Sequence, residues 1–134
     1  MKPIHLLLSL LLIVFSCDNN ASGTDQEGES ESVTEAPDYS GTYESVSEMA
    51  SGSVEVKTAE SGQIEFEITV ADQSGCTGDI FGTAALEDGI AIYNAENCAE
   101  LKFEFSASAV TISEQDCDFY HGMRCAFAGT YEKK

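Results

Sequence analysis

Gln63-Ile64-Glu65-Phe66-Glu67-Ile68-Thr69-Val70 is the stretch that decides the fold. Ile64, Phe66, Ile68 and Val70 take every second position, and Glu65, Glu67 and Thr69 lie between them. A strand turns successive side chains to opposite faces, so this rhythm predicts a strand with one apolar and one wet face. The same period runs outward in both directions. Val54 and Val56 alternate with Glu55 and Lys57 upstream. Downstream, Leu101, Phe103 and Phe105 alternate with Lys102 and Glu104, and Val110 and Ile112 alternate with Thr111 and Ser113. Cys125, Phe127, Gly129 and Tyr131 share one phase near the end. The 3.6-residue period of an amphipathic helix is absent from the sequence, so no long helix is expected.

Strands are expected at residues 41–47, 53–59, 63–71, 79–87, 90–95, 100–106, 109–114 and 125–132. Ser61-Gly62 and Asp88-Gly89 fall between neighbouring strands, and Asp-Gly is a strong two-residue hairpin signal. Short strands with regular turns predict an all-β, eight-stranded antiparallel meander, as a sandwich or a small closed or nearly closed barrel. Closure removes the two exposed edges. An internal echo favours it: Ser40-Gly41-Thr42-Tyr43-Glu44 opens the domain and Ala128-Gly129-Thr130-Tyr131-Glu132 closes it. In an even-numbered barrel those strands are antiparallel neighbours.

The connections after the odd-numbered strands are the longer ones, and in a meander they emerge at one end. Cys76, Cys98, Cys117 and Cys125 all lie on or beside that end.

The amino terminus reads as an address. Met1-Lys2-Pro3-Ile4-His5 is short and positive, and residues 6–15 are almost continuously apolar. That run is too short for a membrane span, which needs roughly 20 residues, and reads as a secretory signal peptide over residues 1–16. Val14-Phe15-Ser16-Cys17 resembles the lipobox of bacterial lipoproteins, although Phe15 is bulkier than the usual occupant. The resemblance implies cleavage before Cys17, acylation of Cys17, and attachment to a lipid bilayer in a bacterial cell envelope. Each buried CH₂ of an acyl chain contributes about 0.8 kcal/mol to such anchoring.

Residues 17–38 hold the lipidated Cys17 and an acidic segment with no basic or aromatic residue and Val33 as its one large aliphatic. Such a composition cannot bury enough apolar surface to offset its ordering entropy, so it reads as a disordered, self-repelling tether. Residues 39–134 form the expected barrel domain.

Across the whole chain 24 acidic residues stand against 6 basic ones, a formal charge of −18. Phosphate backbones repel such a surface, which excludes nucleic acid as a partner. Its field would instead steer a basic protein toward it.

Behind a secretion signal an even set of cysteines reads as disulfides, and four allow three connectivities. The most distinctive stretch is Cys117-Asp118-Phe119-Tyr120-His121-Gly122-Met123-Arg124-Cys125. Cys-x₃-His-x₃-Cys with Asp116 or Asp118 has zinc-ligand chemistry, and a Cys–His pair could make a nucleophile. Exported cysteines oxidise, however, and disulfides consume the thiols that both schemes need. The stretch therefore reads as a stapled loop with no metal and no cofactor. Phe119, Tyr120, His121, Met123 and Arg124 are its candidate partner-binding residues, since aromatics, Met and Arg are enriched at interfaces. The competing reading packs those aromatics over the barrel mouth. No Walker loop, GxSxG or HExxH motif is present, so a non-enzymatic module is expected.

Cys98, Leu101-Lys102-Phe103-Glu104-Phe105, Cys117, Tyr120-His121-Gly122 and Phe127-Ala128-Gly129-Thr130-Tyr131 resemble a pattern of small exported bacterial domains of mostly unknown function. Many of these keep only the equivalents of Cys98 and Cys117. The resemblance therefore implies Cys98–Cys117, which leaves Cys76–Cys125. Some accompany modules similar to lysozyme inhibitors, and the C-type inhibitors are themselves small eight-stranded lipoprotein barrels. The chain lacks a clear match to their lysozyme-contacting Ser and Lys motif. The expected function is a membrane-anchored binding module for a basic protein such as lysozyme. The alternatives are a carrier of a small apolar ligand and a purely structural envelope protein.

Overall fold

The structure is a computed structural model that describes residues 37–48 and 50–134. The expected signal peptide, the expected lipidation site Cys17 and the expected tether as far as residue 36 lie outside the described residues.

Eight strands follow one another: β1 (Gly41–Ser45), β2 (Ala50–Ala59), β3 (Gln63–Asp72), β4 (Thr77–Glu87), β5 (Ile90–Ala95), β6 (Cys98–Phe105), β7 (Ala109–Gln115) and β8 (Gly129–Lys133). Each pairs antiparallel with the next, and β8 returns to β1 to close the barrel. The closing register is Tyr43↔Lys133, Glu44↔Glu132 and Ser45↔Tyr131, so the two Gly-Thr-Tyr strands do meet at the seam.

The alternation in β3 becomes burial. Ile64, Phe66, Ile68 and Val70 face the interior, while Glu65, Glu67 and Thr69 face water. The interior is filled by rings as well as branched chains: Phe66 packs 4.7 Å from Phe103 and 5.1 Å from Tyr93, centroid to centroid. Each large apolar side chain buried this way contributes about 1.5–3 kcal/mol. Between β4 and β5, Asp88 and Gly89 both take positive φ (50° and 78°), the backbone of the mirror-image turn that suits a two-residue hairpin.

Several strand limits differ from those expected. β2, β4 and β6 begin earlier, at Ala50, Thr77 and Cys98. β8 begins later, at Gly129 rather than at 125, because the preceding backbone has other partners. The Cys125 N–H donates to the Gly122 carbonyl in a turn, and the Phe127 N–H donates to the Glu114 carboxylate.

The ladder between β4 and β5 covers only Ala85↔Ile92, Leu86↔Ala91 and Glu87↔Ile90. Beyond it the strands part, and the Tyr93 ring lies across Gly82, where an added Cβ would meet the ring at 2.4 Å. The β7–β8 connection fills this opening. His121 bridges to Gly78, the Asp79 N–H donates to the Tyr120 carbonyl (3.1 Å), and the Gly122 N–H donates to the Thr77 carbonyl (3.2 Å).

Strand order gives the barrel two distinct poles. The first described residues, Lys134 and the turns after β2, β4 and β6 share one pole. Tyr39 closes it, stacked 4.7 Å from Phe105. The connections after β1, β3, β5 and β7 share the other.

Candidate functional site: the stapled pole

Two disulfides hold the second pole, Cys76–Cys125 and Cys98–Cys117. These are the pairs that the family resemblance implies. Cys98 and Cys117 are buried in the core cluster. The first bridge ties the β7–β8 connection to the β3–β4 turn, and the second ties it to the start of β6.

Asp72 shapes the turn that carries Cys76. Its Oδ1 accepts from the Ser74 hydroxyl (2.6 Å), the Ser74 N–H (2.8 Å) and the Cys76 N–H (3.0 Å). These bonds favour the carboxylate, led by the one from the Ser74 hydroxyl, and hold Asp72 below the usual carboxylate range. The positive charge of Arg124 acts in the same direction, which relates that side chain to this turn.

The five candidate residues separate into two groups. Phe119 is 75 % exposed, Met123 is 99 % exposed, and Arg124 is also exposed. Tyr120 is half-buried, and its O–H donates to the Glu96 carbonyl across the pole (2.9 Å). The His121 side chain is only 4 % exposed. Its ring stands edge-on to Phe127, 5.0 Å away, and Phe127 is fully buried. Packing over the barrel mouth therefore describes Tyr120 and His121, while presentation to solvent describes Phe119, Met123 and Arg124.

Sequence reasoning did not single out Glu114, which organises the loop. Its Oε1 accepts from the Phe127 N–H (3.1 Å), and its Oε2 lies 3.2 Å from His121 Nε2. His121 Nδ1 lies 2.9 Å from the Gly122 carbonyl. A signal was present: Glu114 continues the inward phase of Val110 and Ile112, so a charged residue falls on the core face of β7. Its negative charge, after burial, helps push the Tyr131 phenol up to about 12.

The Cys-x₃-His-x₃-Cys set does not assemble as a ligand set. Cys117 and Cys125 are bonded to different partners, and both His121 nitrogens face groups of the loop and β7.

Among the described residues, two clefts stand out on the outer surface. One of about 590 Å³ lies at the stapled pole beside β1, β2 and β3 and is lined by Glu44, Glu48, Asp72 and several serines. The other, of about 320 Å³, lies on the wall of β2, β3 and β4 beside Phe81 and Glu67. No known protein family, curated protein or solved structure matches the chain.

Proposed function

We propose that the chain is a lipid-anchored, non-enzymatic binding module of the bacterial envelope whose stapled pole docks on a basic protein, with a lysozyme-like muramidase as the leading partner class. The observation that supports this reading is the polarity of the barrel. Residues 37–39 join it at one pole, and exposed Phe119 and Met123 sit on a doubly stapled loop at the other. The chain therefore enters the barrel at the pole opposite the docking loop, and the point of entry leaves that loop unobstructed. Apolar anchors on a braced loop lose little conformational entropy on docking, and the surrounding carboxylates steer a cationic partner.

Glu48 and Asp72 of the same pole flank the larger cleft and add to that field, while Glu44 beside them is paired with Lys134. The carrier alternative draws no support from the interior, where Phe66, Phe103, Tyr93 and Phe127 pack against the aliphatic core.

Titration of the full-length chain in detergent micelles with a purified muramidase tests the reading. Micromolar binding is expected, weakening steeply with added salt and weakened about tenfold or more by Phe119→Ala with Met123→Ala. No binding at micromolar concentration, or binding indifferent to both salt and those substitutions, rejects it.

A further inference from the structure

We infer that His121 and Glu114 form a proton-dependent latch that holds the docking loop closed, so that the loop pole is rigid in mild acid and loosens toward alkaline pH. The inference rests on the docking reading above and adds its regulation.

The argument is one of donors and acceptors. Nδ1 of His121 faces a backbone carbonyl at 2.9 Å, and Nε2 faces a carboxylate oxygen at 3.2 Å. A carbonyl only accepts, and so does an ionised carboxylate. A neutral imidazole carries one N–H, so one of its nitrogens would point a lone pair at an acceptor. The geometry is satisfied when the ring and Glu114 together hold one proton more than a neutral ring and a carboxylate do. The ring is nearly sealed from solvent, and water cannot easily supply the missing donor.

The same two residues hold the loop in place. Glu114 receives the N–H groups of Phe127 and Ala128 through its other oxygen. His121 carries the backbone bridge to Gly78, where its Cβ lies 2.4 Å from the position of an added Cβ. Losing the shared proton therefore strains the contact that plugs the β4–β5 opening.

On β7 the facing group is Glu114 itself. On β8 it is the Tyr131 phenol, which stays protonated well past neutrality. Asp79 of β4 and Asp116, Asp118 and Arg124 of the loop are all exposed. The latch responds to the proton that the imidazole and the carboxylate share. Its contribution is complete at the acid end and is lost as the pH rises.

Amide hydrogen exchange of the full-length chain in micelles tests this, without any partner present. After correction for intrinsic rates, amides of residues 119–125 are expected to exchange about ten- to hundredfold faster at the alkaline end, the worth of one charge-assisted hydrogen bond. Glu114→Gln is expected to abolish the difference and keep the loop protected throughout. Its amide N–H can donate to a neutral Nε2, and its oxygen can still accept from Phe127. His121→Asn is expected to leave the loop fast at both ends; if that variant does not fold, Glu114→Gln decides. Equal protection of the unmodified loop at both ends overturns the latch. Equal protection together with salt-sensitive muramidase binding overturns the latch alone, whereas a working latch with no binding overturns the docking reading alone.

Discussion

Tyr43 and Tyr131 are held in the same way: each phenol donates its O–H to the backbone carbonyl of the residue four positions earlier, Tyr43 to Tyr39 at 2.7 Å and Tyr131 to Phe127 at 2.8 Å. β1 and β8 run antiparallel, so these equivalent bonds act at opposite poles. One fixes Tyr39, which stacks on Phe105, and the other fixes Phe127 beneath the stapled loop. The Gly-Thr-Tyr echo is thus a repeated device for closing the two ends of the barrel.

Tyr43→Phe and Tyr131→Phe are each expected to cost about 0.5–1.5 kcal/mol, rising toward about 3 kcal/mol where the abandoned carbonyl stays dry. Urea denaturation measures the loss. Hydrogen exchange should localise it to residues 39–42 for the first variant and 125–128 for the second.

Alkaline pH should act through Tyr131. Burial, then the charge of Glu114, raises its phenol to about 12 in the folded chain. An unfolded tyrosine ionises near 10. The folded state holds the proton more tightly, so stability is retained below about pH 10 and falls as pH rises through the folded value. Tyr43 is raised too, by burial first, and adds in the same direction. Denaturation midpoints measured across this range should fall less steeply for Tyr131→Phe.

Gly78→Ala should detach the loop without disturbing the far pole. The new methyl would sit 2.4 Å from His121 Cβ and 3.0 Å from the Tyr120 carbonyl oxygen. Overpacking of this kind costs about 1–3 kcal/mol. Exchange should quicken in residues 119–125 and remain slow around Tyr39.

Removing either disulfide should destabilise the chain by about 2–4 kcal/mol. Cys76–Cys125 spans 49 residues and Cys98–Cys117 spans 19. The longer closed loop makes the first bridge worth about 0.8 kcal/mol more in the chain-entropy account. Paired Cys→Ser variants compared by urea denaturation check both size and order.

Where one chemical pattern governs a segment, the sequence discloses the structure. The period of two in β3 and the Asp88-Gly89 turn led to antiparallel pairing, the Gly-Thr-Tyr echo led to closure, and the cysteines were gathered at one pole because they lie on or beside the connections after odd-numbered strands. The start of β8 was hidden because Phe127 keeps the strand phase while its N–H goes to a carboxylate 13 residues away. Long-range side-chain bonds of that kind leave no local period. Tyr120 and His121 have the composition of an interface, yet their burial depends on the parting of β4 from β5, where the Tyr93 ring lies across Gly82. Glu114 was legible in principle, as a charge on the inward phase of β7.

The most direct trial of the proposed docking pole is an exchange footprint of the full-length chain in the presence of saturating muramidase. New protection is expected on residues 117–125 and on the adjoining β3–β4 turn, with the turns after β2, β4 and β6 unchanged. Protection confined to those latter turns would place the contact at the wrong end of the barrel and contradict the account.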